Sequence, residues 1–509
     1  MAKQFILAHD LGTTGNKASL YDSSGKVLSS SFYGYATQIP NPGWVEQNPQ
    51  DWWQAVCIST RKLLAAARVL PQEIACIVFS GQMMGCLPVD RQARPLRSAL
   101  IWADSRAVLQ AARLTEALGL ENAYRITGHR ISPNYGSPKM VWMREHQPEL
   151  FAQVHKFLLA KDFIVARLTG NFVSDFTDAA SLNLIDLRTW NWSASILEAL
   201  QLDPAVLPEL HASTDVVGEV LPEAAEEAGL AAGTKVVIGA GDGLCATVGA
   251  GVVRPGSAYT YIGSSTWIAI TTPAPLFDPG MRTFTWVHML PGLYSPTGTM
   301  QTGGGSYQWL RDTLCPQEKE TARLLDLSPY ELMNLEAEKS PPGARGLLFL
   351  PYLLGERSPR WNPKARAAYL GLTMQHSRAD IIRATLEGVG FNMRVILEAF
   401  QAQGAQIESM RLIGGGARGR LWRQILADIY NLPVLRTALL EEATSLGAAI
   451  AGGIGVGLFK DFSIAETLTP VLDRLEPDPS VQPLYERLYQ LFNQVYEALL
   501  PLYDGLAEI

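Results

Sequence analysis

Apolar and polar residues fall into runs and alternations that divide the chain into strands, turns and helices. The apolar run that starts at Phe5 ends at His9-Asp10 and passes straight into Leu11-Gly12-Thr13-Thr14-Gly15-Asn16-Lys17. Ala18 to Asp22 predicts a second strand, Ser23 to Lys26 a turn and Val27 to Phe32 a third strand, a β-meander followed by a helix. Asn48 is placed to cap that helix, with Pro49 in its first turn and Asp51 favourably set against the dipole. Ile74 to Phe79 predicts a buried strand that ends at Ser80-Gly81-Gln82. From Ala103 to Leu210 the pattern is helical with breaks. Lys235 to Ala240 is a fresh strand; it ends in Gly241-Asp242-Gly243 and enters a helix of small residues, Leu244 to Gly251.

The opening pattern then returns. Tyr259 to Ile262 predicts a strand, Gly263-Ser264-Ser265-Thr266 a second Gly/Ser/Thr loop, and Trp267 to Ile270 the returning strand. The echo predicts an internal duplication with a boundary near 250–256 and a ligand in the cleft between the halves. Helices are expected over Arg378–Gln401, Leu421–Tyr430 and Ala443 to about Gly453, with a strand over Arg411–Ile413 and a glycine loop, Gly414 to Arg418. The last helix, Leu484 to Leu500, carries Leu484, Leu488, Leu491, Val495 and Leu499 at helical steps, which predicts its packing stripe.

Length and composition narrow the class. A chain of 509 residues fits two or three domains. With 47% apolar and 18% charged residues it is a folded chain, not a disordered one. The net charge of −7 comes without any Lys/Arg-rich block, so no nucleic-acid surface is expected. Apolar stretches such as Leu347 to Leu350 are far too short to span a bilayer. Residues 1–20 lack a basic start and a cleavable apolar core, so no signal peptide is expected. Five cysteines, an odd number without a Cys-x-x-Cys pair, argue against a disulfide framework and a structural zinc site, and for reduced thiols in the cytoplasm.

Several residues could carry chemistry. Glycines let backbone pass close to an anion, and hydroxyls and amides can cradle phosphate oxygens, so the Gly12–Gly15 loop suits a nucleoside triphosphate. Asp10 could orient a magnesium ion through water, or simply cap a turn. Asp242, between two glycines at a strand end, could accept the proton of an attacking hydroxyl, or serve only as a cap. Gln82 and Asp104 could bond sugar hydroxyls, and Trp102 could cover a polyol's carbon face; all three could equally be loop residues. The glycine runs at Gly303–Gly305 and Gly414–Gly416 suit either a nucleotide platform or tight turns.

Together these residues resemble the FGGY family of carbohydrate kinases, which shares the sugar-kinase, actin and heat-shock ATPase core. Asp10 to Gly15 resembles the family's first phosphate motif, and Gly43 to Pro49 with Trp52-Trp53 a segment that follows it. The most specific match is Gly355-Glu356-Arg357-Ser358-Pro359, then Asn362 to Arg366, Gly371-Leu372, His376, Arg378 to Asp380 and Arg383 to Phe391. Ser80 to Met83, Leu159 to Asp162, Phe349 to Leu353 and Leu412 to Arg418 resemble the family's xylulokinase branch.

The resemblance implies an α/β chain of two actin-like, ribonuclease H-like domains with a ligand cleft between them. Residues 1–252 would form the N-terminal domain, 253–460 the C-terminal domain, and 461–509 a helical extension packed on the second. It implies an ATP- and Mg2+-dependent kinase for the primary hydroxyl of a small sugar, D-xylulose leading. Another ketopentose, a polyol, a gluconate-like acid or an autoinducer-2-like molecule stays open, and a homodimer is left open. Asp242 would be the general base and Asp10 the magnesium residue. Gln82, Met83, Met84, Trp102, Asp104 and Asp242 would meet the sugar. Thr13, Thr14, Gly263, Ser264, Gly304, Gln308, Gly415, Gly416 and Arg418 would meet the nucleotide. Two positions depart from the xylulokinase pattern: Met84 stands where a histidine is usual and Gly243 where an asparagine is usual. The rival reading, a non-catalytic binding protein with the same clamp, is disfavoured because Asp10, Asp242 and both loops are present.

Overall fold

The computed structural model describes residues 4–439 and 442–508; residues 1–3, 440–441 and 509, which fall within the expected domain spans, lie outside the described residues. The opening meander forms β1 (Phe5–Leu11), β2 (Gly15–Tyr21) and β3 (Val27–Gly34). The turn between the first two is tight, with Gly12 N–H donating to Gly15 O at 3.0 Å. Three further strands join them: β4 (Ile74–Gly81), β5 (Val216–Glu219) and β6 (Lys235–Gly241), in the order β5-β6-β4-β1-β2-β3. β4 runs parallel to both β1 and β6 and is buried at every position, as expected of a strand covered on both faces. Helix α1 (Pro49–Ala67) starts as its sequence predicts: the Asn48 side chain accepts from Gln50 N–H, and Trp52, Trp53 and Val56 are buried.

The second half repeats this plan. β7 (Ala258–Ile262), β8 (Thr266–Ile270), β9 (Phe284–Val287), β10 (Tyr294–Met300), β11 (Met410–Ile413), β12 (Val434–Thr437) and β13 (Val471–Leu475) pair in the order β9-β10-β8-β7-β11-β12-β13. In both sheets an antiparallel meander is followed by two strands parallel to its first member. The expected duplication is therefore a duplication of topology.

Six further helices matter for the site: α2 (Asp242–Gly249), α3 (Gly304–Thr313), α4 (Arg378–Gln401), α5 (Arg420–Tyr430), α6 (Ala443–Gly455) and α7 (Gln482–Leu506). α6 belongs to the second half by sequence, yet its Leu446 and Ile450 share a core with Ile6 and Val78 of the first sheet. It crosses α2 at contact distance. A Cβ at Gly447 would lie 1.9 Å from Cys245 O, and one at Gly249 would lie 1.7 Å from Ala443 O.

Three expectations change. The stretch from Ala103 to Leu210 holds short strand pairs as well as helices, such as Val173–Asp175 with Glu209–His211; runs of three residues are too short to display a period. α2 begins at Asp242 instead of Leu244. The buried stripe of α7 overlaps the leucine stripe only in part: Leu488 is buried and Val495 and Leu499 pack at the core's edge, but Leu484 and Leu491 are about 40% exposed, and Tyr485, Tyr489, Phe492, Tyr496 and Tyr503 fill the interior. Aromatic rings bury more area, and the hydroxyls of Tyr485 and Tyr489 find partners. Tyr485 donates to Glu387 Oε1 at 2.8 Å and Tyr489 to Glu398 Oε2 at 2.7 Å. All five cysteines are buried and unpaired, and among the described residues no helix is long and apolar enough to cross a membrane.

Candidate active site

The two carboxylates stand at the carboxyl ends of parallel strands, where loops are free to meet a ligand. Asp10 lies opposite Ser80 in the β1–β4 register, and Ser80 Oγ donates to its Oδ1 at 2.9 Å. Gly241 lies opposite Gly81, so Asp242, the first residue of α2, emerges beside them. Gly243 N–H donates to Asp242 Oδ1 at 2.7 Å. Burial first, and the Asp10 charge second, push the Asp242 carboxyl up to about 7, against the pull of the Gly243 amide. Asp10 is also raised by burial, with the Ser80 hydroxyl and Lys17 opposing.

A cavity of about 580 Å3 opens over Asp242. On the first-half side it is lined by Thr13, Thr14, Met83, Met84, Trp102 and Gly243. The opposite wall was not anticipated. It is one face of the second sheet: Tyr259 and Tyr261 of β7, Trp267 of β8, Phe284 and Trp286 of β9, and Ser295, Thr297 and Thr299 of β10. Within each strand these residues stand two apart, and alternate positions share a face. Their signal in the sequence is the i, i+2 spacing of Ser295, Thr297 and Thr299, but only the sheet order aligns it with the others.

The structure separates residues that line the cavity from residues that brace it. Trp102 Nε1–H donates to Thr13 Oγ1 at 2.9 Å, tying a cavity wall to the phosphate loop. Gln47 Nε2 holds Thr13 O at 2.7 Å, and its Oε1 accepts from Trp52 Nε1 at 2.9 Å and Gln82 Nε2 at 2.8 Å. Gln82 is buried and does not line the cavity; it steadies the loop through Gln47. Asp104 is also absent from the lining. It is fully buried, and its carboxylate accepts from Val45 N–H at 2.7 Å and from Arg106 Nη2 at 2.7 Å. Met84 sits in the left-handed region at φ 61°, its N–H donating to Ser181 Oγ at 2.8 Å and its carbonyl accepting from buried Lys139 at 3.0 Å.

Behind this wall lies a charged core that the sequence reading missed. Lys161 Nζ is 2.6 Å from Asp162, 3.0 Å from Asp175 and 3.5 Å from Asp178, all fully buried. Burial raises Asp178 well above the ordinary carboxylate range despite Lys161. Thr177 Oγ1 donates to Asp175 at 2.6 Å and accepts from Gly241 N–H at 3.0 Å. The cluster thus holds the backbone just before Asp242 and, through Ser181, the backbone of Met84.

A second cavity of about 450 Å3 adjoins the first, and Ser264 lines both. It brings together Gly263, Gly304, Gln308, Gly415, Gly416 and Arg418. The loop and helix are stitched: Gly304 N–H donates to Gly263 O at 2.8 Å and Gly305 N–H to Ser264 O at 2.9 Å. A Cβ at Gly304 would lie 2.3 Å from Gly263 O, so only glycine allows this approach. Tyr307, Tyr330, Asn334 and Trp422 complete the walls. Tyr307 and Trp422 follow the glycine turns at the starts of α3 and α5, a readable signal; Tyr330 and Asn334 carry none.

Two duplicated halves, with one cavity over a carboxylate and another beneath glycine turns, define an actin-like two-domain phosphotransferase. Comparison with known proteins gives the particular family. The models of the "FGGY family of carbohydrate kinases" match residues 5–249 with the N-terminal domain and 258–456 with the C-terminal domain. The chain belongs to this family and is an ATP-dependent sugar kinase. It is 32% identical to a xylulose kinase of Staphylococcus epidermidis over 100% of both chains. It is equally 32% identical to a gluconokinase of Bacillus licheniformis, covering 99% of this chain and 98% of that one. The crystal structure of a xylulose kinase from Rhodospirillum rubrum superposes with a TM-score of 0.90 at 28% identity, over 98% of this chain and 100% of that one.

Proposed function

We propose that the chain transfers the γ-phosphoryl group of ATP to the primary hydroxyl of D-xylulose, giving D-xylulose 5-phosphate and ADP. The observation that carries the reading is Asp242, a carboxylate held near neutrality in the larger cavity, next to the loop that the two cavities share. A base of that strength at neutral pH is matched to an alcohol's proton in the transition state. An Asp242 carboxylate oxygen takes the proton from the sugar's hydroxyl as the hydroxyl oxygen bonds to the γ-phosphorus. The bond from the γ-phosphorus to the bridging oxygen breaks, ADP leaves with that electron pair, and Asp242 afterwards loses the proton to solvent.

The loops divide the work. Thr13 and Thr14 approach the phosphates from the first half, Gly263 and Ser264 from the second. Gly304, Gln308, Gly415, Gly416 and Arg418 receive the remainder of the nucleotide. Met83, Met84 and Trp102 bound the sugar, while Gln82 and Asp104 act through the backbone and side chains they brace. Closure of the halves, dividing near residue 252 with 461–509 riding on the second, would exclude water and suppress ATP hydrolysis.

Magnesium fits the donor set. Asp10 Oδ1 accepts one hydrogen bond, from Ser80, and faces a second carboxylate at Asp242. An ion that keeps its waters and arrives on a triphosphate needs few protein ligands. Asp10, with Asp242 beside it, would hold the ion, which supplies charge neutralisation on the phosphates.

The test is ADP release from ATP with D-xylulose, other pentuloses, polyols and D-gluconate. A large increment with D-xylulose supports the reading. Release that no sugar stimulates refutes it.

A further inference from the structure

Arg357 lies in the most specific stretch of the sequence, yet the chemistry above does not use it. Its side chain lines the acceptor cavity from the second half and is only partly buried. Among the described residues its guanidinium has no hydrogen-bond acceptor and no carboxylate within ion-pair distance; the residue is bonded through its backbone alone, its N–H donating to Glu356 and its carbonyl accepting from Trp361 N–H. A guanidinium carries five donors and no acceptor. Here those donors face the space where the acceptor lies.

The loop that carries Arg357 is clamped on both sides. Glu356 is 3% exposed, and its carboxylate accepts from Gln301 N–H at 2.8 Å, Arg357 N–H at 2.9 Å and Asn392 Nδ2 at 2.8 Å. Ser358 Oγ donates to Arg282 O. Gly355 sits at φ 69°, where a Cβ would come within 2.4 Å of Pro363 O. The loop abuts β10, since a Cβ at Gly298 would lie 2.9 Å from Ser358 Oγ. On that strand Ser295 lines the same cavity, and among the described residues its buried hydroxyl has no partner. The first half offers little in exchange: Met83 and Met84 present thioethers, Gly243 presents nothing, and the Trp102 N–H is engaged by Thr13.

We propose that Arg357 is a specificity-determining anchor, donating to oxygens at the end of the acceptor remote from the hydroxyl that meets Asp242. The acceptor is then gripped from both halves, and a terminal carboxylate gains more from the fork than a hydroxyl does. This rests on the sugar-kinase reading above.

The experiment compares wild type, Arg357→Gln and Arg357→Lys with D-xylulose, D-gluconate and ATP as varied substrates. In Arg357→Gln, kcat/KM for the acceptor should fall about 10- to 100-fold through KM, with the larger loss for D-gluconate, while the KM for ATP stays within about twofold. Arg357→Lys should restore part of the D-gluconate loss, as a point charge can. An unchanged acceptor KM overturns the proposal, and so does a parallel loss for both acceptors and ATP. If wild type phosphorylates neither sugar, the functional reading fails. The anchor is then judged by calorimetric binding of the same two sugars to wild type and Arg357→Gln, where equal binding or none overturns it.

Discussion

Asp242→Asn separates the cost of the base from its use. The folded protein holds the Asp242 carboxyl at about 7, and its ordinary value is 3.8. Between those values the unfolded chain has released its proton and the folded chain has not, so the unfolded state binds fewer protons and stability falls as pH rises. At about 1.4 kcal/mol per pH unit, the ionised carboxylate costs the unliganded protein about 4 kcal/mol once pH exceeds 7. Asparagine keeps an oxygen for the Gly243 amide and carries no charge towards Asp10. Its stabilising effect should therefore grow between pH 5.5 and 8.5 by about 2 kcal/mol, roughly 4–8 °C in the melting temperature of the first half. Phosphoryl transfer should fall about 10²- to 10⁴-fold over the same range. Scanning calorimetry of both proteins without ligands, alongside ADP release with D-xylulose, reads the two effects. A gain in melting temperature that does not change with pH would refute the electrostatic account of Asp242. Retained turnover would refute its role as base.

Three other expectations follow from the same geometry. For wild type at limiting ATP and acceptor, kcat/KM should rise with pH through about 7 and then level, because Asp242 must be ionised to accept a proton; a flat profile from pH 5.5 to 8.5 contradicts that. Lys161→Met leaves Asp162, Asp175 and Asp178 without their cation, and should destabilise the first half by about 3–5 kcal/mol, read as a lowered first melting transition or loss of soluble protein. Met84→His with Gly243→Asn should alter the ranking of sugars while leaving the KM for ATP in place. Histidine tolerates the left-handed backbone at residue 84, and a Cβ at residue 243 meets only Met83 Sδ at 3.8 Å. An unaltered ranking would remove both positions from the list of selectivity residues.

What the sequence made legible was local. A strand that runs into a glycine-threonine turn, its echo 250 residues later, and an aspartate between glycines at a strand end all announce themselves within ten residues, and the structure places them at the edge of one cleft. What it hid depends on partners that sequence does not name. Gln82 and Asp104 read as polar groups beside apolar strands, but the Gln82 amide donates to Gln47, and Val45 N–H and Arg106 donate to the Asp104 carboxylate. Lys161 looks like any surface lysine until three carboxylates surround it. β10 is disguised by Pro296 and Gly298, which suppress strand propensity, so its stripe of hydroxyls went unread. The same partner problem bears on selectivity. Met84 and Gly243 remove hydrogen-bonding side chains from the first half, a change that in isolation predicts a loosened pocket. Yet Arg357 and Ser295 face the same cavity from the second half with their donors unengaged. With Asp242 as the proposed base, the choice of alcohol would turn on this second-half wall as much as on the residues beside the carboxylate.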